Sequence, residues 1–169
     1  MKSLDKKITL AIHRSGKSFL PFWEFLSEYG LLAFVFFFLG LWVAAHWWSY
    51  ALLMVAGATG VTFAVTYGLR LIFRRPRPDF MKTDYELLHV KVNEYSFPSL
   101  HAAISGSLAT SVSLVVLEIT THQYALPSVI FLGVIAALVT ISRIMVGVHY
   151  LSDILAGLAV GIGITLLIL

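Results

Sequence analysis

The sequence predicts an all-α fold: a polytopic membrane helical bundle of about five transmembrane helices, plus an N-terminal interfacial amphipathic helix. Two observations carry this prediction. Of the 169 residues, 59% are hydrophobic and only 12% charged, and the mean hydropathy is +0.87; a soluble domain needs more charge than this to cover its surface. In addition, no Asp, Glu, Lys or Arg occurs from Tyr29 to Leu69, a run about twice as long as one crossing of a hydrocarbon core requires. The length suits a single membrane-embedded domain over residues 1–169. Cysteine is absent, which excludes disulfides and thiolate metal sites.

From Leu4 to about Lys17, Leu4, Ile8, Ala11 and Ile12 recur at helical spacing with Lys6, Lys7 and Arg14 on the other side. This reads as a helix lying in the membrane interface. Charges interrupt its apolar residues and no small-residue cleavage site follows, so it is not read as a cleavable signal. Pro21 to Glu28, with Phe22, Trp23 and Phe25, reads as a second short interfacial segment within an interfacial region 1–28. The uncharged run then divides into two spans, with a turn near the aromatic cluster His46-Trp47-Trp48-Ser49-Tyr50, a composition typical of headgroup depth. Residues 70–98 form one long polar segment holding Pro76, Pro78 and Pro98. A third span covers about Ser99 to Leu117, a fourth about Tyr124 to Ile144, and a fifth runs from about His149 onward, with Gly157 and Gly161 as a small-xxx-small face.

Alternating spans bring the ends of the second and fourth and the starts of the third and fifth to one membrane face. The unusual polar residues fall at those ends. Ionisable groups at membrane depth are costly and usually mark a site.

Three clusters supply the chemistry. Arg70-Leu71-Ile72-Phe73-Arg74-Arg75-Pro76-Arg77-Pro78 closes the second span. Taken alone it fits a stop-transfer anchor; taken with the others it fits a guanidinium cradle, whose forked donors match phosphate oxygens. Phe97-Pro98-Ser99-Leu100-His101 opens the third span, with Ser99 as its expected N-cap and His101 in the first turn. The amides of such a helix start favour an anion. The plainer reading is a capped helix with an interfacial histidine. Ser142-Arg143 is followed after five residues by His149 and after three more by Asp153. A spacing of four places His149 and Asp153 on one helix face, where a carboxylate on one ring nitrogen frees the other to attack. A buried structural pair is the alternative.

Together these residues resemble the type 2 phosphatidic acid phosphatase family, also called the lipid phosphate phosphatase or acid phosphatase–haloperoxidase superfamily. Its Lys-x6-Arg-Pro element is matched by Arg70 and Arg77-Pro78, its Pro-Ser-Gly-His element by Pro98, Ser99 and His101, and its Ser-Arg-x5-His-x3-Asp element in full by Ser142, Arg143, His149 and Asp153. The chain departs twice: Arg70 replaces Lys, which keeps the charge but forks it, and Leu100 replaces Gly, which adds bulk beside the pocket. The resemblance, over residues 70–153, implies a metal- and cofactor-free lipid phosphatase with a phosphohistidine intermediate. It implies His149 as nucleophile, His101 as general acid and base, and Asp153 as the group orienting His149. Arg70, Arg77, Ser99 and Arg143 would bind phosphate, with Pro78, Pro98 and Ser142 in support.

The expected partner is a lipid phosphate within the membrane and not nucleic acid. Phosphatidylglycerol phosphate, polyprenyl diphosphate, phosphatidic acid and a lipid A phosphate all remain open. Residues 79–96, with Lys82, Asp84, Glu86, His89, Lys91 and Glu94, read as a headgroup-contacting loop or as an ordinary solvated one. A phosphotransferase passing the phosphoryl group to a second lipid fits the same motifs; a non-catalytic transport or structural bundle fits the hydrophobicity but not the motifs. Lys and Arg gather on the motif side, which positive-inside counting would place in the cytoplasm. The resemblance implies instead an extracytoplasmic site in a cell (inner) membrane, and the expectation follows the resemblance.

Overall fold

The structure is a computed structural model that describes residues 2–45, 49–78, 95–119 and 121–169. Among them run six α-helices: α1 (Lys2–Gly16), α2 (Leu20–Ala45), α3 (Ser49–Phe73), α4 (Leu100–Ile119), α5 (His122–Met145) and α6 (Leu151–Ile168). A single 3-10 turn, Lys17–Phe19, joins α1 to α2. Among the described residues, five segments are long and apolar enough to cross a membrane, the first running from Leu4 through the turn to Gly40. The aromatic corner at His46-Trp47-Trp48 and the loop residues Lys82, Asp84, Glu86, His89, Lys91 and Glu94 lie outside the described residues.

One boundary differs from expectation. Pro21 to Glu28 forms the first two turns of α2, not a separate segment. Pro21 is the second residue of that helix, where its missing N–H has no intrahelical acceptor to lose. At 26 residues, α2 is about 39 Å long, so its aromatic base extends beyond a hydrocarbon core of roughly 30 Å.

Helix α4 is the hub, packed against α6, α5, α3 and α2; α1 lies across α5 and α6. Between lipid-embedded helices there is little hydrophobic drive, so close packing and interhelical hydrogen bonds must hold the bundle. Gly157 and Gly161 supply the closeness. A Cβ at Gly157 would overlap the Ser99 carbonyl, and one at Gly161 would overlap the Ala103 carbonyl and stand 3.0 Å from the Ser107 amide. The Thr165 hydroxyl donates to Ser107 Oγ at 2.9 Å, tying the same two helices deeper in the bundle. Phe34, Val112, Val116, Leu132 and Val139 fill the space among α2, α4 and α5. Outward, Phe36, Leu53, Ile72, Leu126 and Leu167 stand exposed, as a lipid-facing surface requires.

Candidate active site

Four helix ends meet on one face. Helix α3 stops at Phe73, and Arg74 takes a left-handed backbone conformation (φ 44°) that turns the chain toward Pro76. Pro76 then pairs with Tyr95 in an isolated antiparallel bridge, and the Ser96 amide donates to the Arg75 carbonyl at 2.8 Å. Residues 75–76 and 95–96 are thereby closed on each other. Opposite, α5 ends in a turn whose amides of Val146, Gly147 and Val148 return to Ser142, Ile144 and Arg143. Gly147, at φ 83°, is the residue that lets this turn form. Arg77 crosses between the two walls, donating through Nη1 to the Val148 carbonyl at 2.6 Å.

His149 sits in this turn, ahead of α6, rather than on the helix itself. The expected shared helix face is therefore replaced by a cap. Asp153 is the third residue of α6 and accepts the Tyr150 N–H through Oδ2 at 2.9 Å. The same oxygen faces His149 Nδ1 at 3.5 Å, longer than a hydrogen bond, and among the described residues Nδ1 has no hydrogen-bond partner. Catalytic hydrogen bonds are often loose before substrate arrives. His149 is 2% exposed and Asp153 fully buried. Burial, and then the fields of Arg143, Arg77 and Arg70, hold the His149 imidazole well below the usual histidine range. It is thus neutral, with a lone pair to offer.

Of the other expected residues, Arg70, Arg77, His101 and Arg143 lie near it. Arg70, 5% exposed, donates to the Tyr95 carbonyl from the end of α3. Ser99 is buried directly before α4: its amide donates to the Asp153 carbonyl at 3.0 Å, and its Oγ accepts the Ala102 N–H at 3.4 Å, a long cap. Arg143 and His149, with Arg70 and Arg77, lie within electrostatic reach of His101. Pro78 and Pro98 are buried. Ser142 is turned away, its hydroxyl donating to the Val139 carbonyl of its own helix at 2.7 Å. Leu100 has no positive φ, so the backbone there accepts a side chain where the family motif has glycine.

Several site residues carry no local signal in the sequence. Arg75 was part of a basic cluster, but its own place is at Asp153: Nη1 donates to Oδ1 at 2.8 Å and to Ser152 Oγ at 2.6 Å. Ser96 is fully buried, with its side chain reaching Asp153 and its backbone against the His149 ring. Ser27, about two turns into α2, accepts from Arg143 through its hydroxyl and its carbonyl, the latter at 3.2 Å. All three pairings join distant parts of the chain, so no spacing rule announces them.

Comparison with known proteins shows the family to which the chain belongs. The family model of the PAP2 superfamily matches residues 47–169. The chain is 32% identical over 139 residues to "Undecaprenyl-diphosphatase BcrC" of Bacillus subtilis (strain 168), covering 82% of this chain and 67% of that protein. It is 32% identical over 92 residues to "Phosphatidylglycerophosphatase B" of the same organism, covering 52% of this chain and 41% of that protein. A solved structure, the crystal structure of the first transmembrane PAP2 type phosphatidylglycerolphosphate phosphatase from Bacillus subtilis, superposes with a TM-score of 0.78 at 22% identity. The alignment covers 99% of this chain and 83% of that one, a likeness of fold. With its three motifs gathered at one membrane face and the family match spanning most of its length, this chain belongs to the PAP2 superfamily.

Proposed function

We propose that the protein is a metal-independent lipid phosphate phosphatase that works through a phosphohistidine on His149. The observation that carries this reading is a buried His149 set 3.5 Å from Asp153, with burial and the fields of Arg143, Arg77 and Arg70 favouring its uncharged form. Phosphoryl transfer demands mainly positioning and charge stabilisation, and these groups offer both. With Nδ1 turned to Asp153, Nε2 attacks phosphorus, and the P–O bond to the lipid (or to the bridging oxygen of a diphosphate) breaks. His101 gives its proton to the departing oxygen. In the second step His101 takes a proton from water, whose oxygen displaces His149 as the P–N bond breaks and inorganic phosphate leaves. Arg70, Arg77, Arg143 and Ser99 hold the phosphoryl oxygens throughout.

The named activities of the two similar proteins, on undecaprenyl diphosphate and phosphatidylglycerophosphate, support a lipid phosphomonoester or diphosphate as substrate. Inorganic phosphate release by the purified protein is measured over polyprenyl diphosphate, phosphatidylglycerol phosphate, phosphatidic acid and lipid A phosphate. At least one is hydrolysed, with inhibition by vanadate and no response to chelators. Transfer of the phosphoryl group to a second lipid without phosphate release favours the phosphotransferase instead; loss of activity on chelation refutes metal independence.

The site is proposed to face outward from the cytoplasm, on the family pattern. The absence of cysteine makes this simple to measure. A single Asp84→Cys variant is labelled in intact cells by a membrane-impermeant maleimide; labelling only after the membrane is breached reverses the orientation.

A further inference from the structure

Asp153 is held by more than the histidine it faces. Its Oδ2 is fixed by the Tyr150 amide, and its Oδ1 is taken by Arg75. Arg75 in turn is gripped on three sides. Nη2 donates to Asp5 Oδ2 at 2.8 Å, Nη1 also reaches Ser152 Oγ, and the guanidinium lies 4.0 Å over the Tyr150 ring. Both arms are spent on protein groups, so neither is left for a phosphoryl oxygen. A planar fork is what allows one side chain to span two carboxylates.

Asp5 belongs to α1, the interfacial helix, and α1 does more there than anchor. The first amides of any helix lack intrahelical partners, and α6 finds some of its partners on α1. The Ser152 N–H donates to Asp5 Oδ1 at 3.2 Å and the Leu151 N–H to Thr9 Oγ1 at 3.0 Å, while the Ser152 hydroxyl donates to Asp5 Oδ2. Asp5, Thr9 and His13 repeat every four residues along one face of α1, and His13 Nδ1 meets the Met145 carbonyl at 2.7 Å. Thr9 is fully buried and His13 is 5% exposed. This polar stripe of α1 is thus spent on the end of α5 and the start of α6.

We infer that Arg75 and Asp5 are positioning residues for the nucleophile: α1, through Asp5 and Arg75, sets the rotation of the Asp153 carboxylate that aims His149. The inference rests on the phosphohistidine reading above. Displacing a reacting group by about 1 Å can cost on the order of a hundredfold in rate, and a carboxylate freed on one side loses its fixed rotation.

The test is rapid-quench single-turnover kinetics on the full chain in detergent, with a lipid substrate carrying a ³²P-labelled phosphoryl group. Trapped phosphoenzyme is followed in the unaltered protein, Arg75→Gln and Asp5→Asn. Expected are a phosphoenzyme rate constant about a hundredfold lower in Arg75→Gln and about tenfold lower in Asp5→Asn. The phosphoenzyme amplitude and the inhibition constant of inorganic phosphate stay within about threefold of the unaltered protein's, a margin of under about 0.7 kcal/mol. Asp5→Asn retains the Arg75–Asp153 pair, so it reports even if Arg75→Gln does not fold. An unchanged rate constant with reduced amplitude means a merely structural role and overturns the inference. So does a phosphate inhibition constant that rises in Arg75→Gln, which would make Arg75 a phosphate ligand. A normal rate in Asp5→Asn removes α1 from the relay. Absence of phosphoenzyme in the unaltered protein overturns the phosphohistidine reading itself, and the inference with it.

Discussion

Replacing His149 with alanine is expected to reduce phosphate release from every lipid substrate by at least about 10⁴-fold, because removing a nucleophile eliminates the covalent route rather than weakening it. The variant should still fold. Asp153 would not become an unpaired buried charge, since Arg75 and the Tyr150 amide continue to hold both of its oxygens. The turn that carries His149 is closed by backbone bonds and by Gly147, neither of which involves the imidazole. Purified His149→Ala should therefore match the unaltered protein in helix content by circular dichroism while forming no acid-labile phosphoenzyme. Phosphate release at an undiminished rate by this variant would show the nucleophile to be elsewhere.

Gly161→Val is expected to be the most damaging substitution far from the chemistry. The new Cβ would occupy the position of the Ala103 carbonyl oxygen, and because that atom is backbone, no rotamer change relieves the overlap. Overpacking of this kind costs typically up to about 3 kcal/mol, and more where helices must separate. Separation of α4 from α6 would also stretch the Ser99 N–H bond to the Asp153 carbonyl, four residues along the same seam, and so pull the start of α4 from the histidine. The measurement is paired: the unfolding temperature in detergent drops, and the specific activity of the protein that remains folded drops with it. Thermal stability and activity both unchanged would mean that the two helices do not approach as closely as their glycines allow.

How much of this was legible in the sequence depends on range. The spans could be read because hydrocarbon imposes a length and a composition on every crossing. The grouping of Arg70, Arg77, Ser99, His101, Arg143, His149 and Asp153 could be read because alternating spans fix which ends meet. Two local expectations gave way to capping. Pro21 to Glu28 merged into α2 because a proline at a helix start is no obstacle, and His149 stood outside α6 because Tyr150 and Asp153 close that helix between them. Arg75, Asp5, Ser27 and Ser96 were out of reach for a different reason. Each contact spans a long stretch of chain, 70 residues for Arg75 with Asp5 and 116 for Arg143 with Ser27. Serines and charges of this kind look in sequence like any others at a membrane surface.

The bonds from α6 to α1 have a consequence for assembly. They join residues separated by 142 and 147 positions, and contacts of that range form late because loop closure must come first. During synthesis the ribosome delivers α1 well before the helix it completes, α6. A half-inserted chain can present Arg70 at the end of α3, the arginines that follow it and the serine before α4, yet it has no docked α6 against which Asp153 can be set. On the proposed reading of His149, activity would then depend on α6 docking against α1.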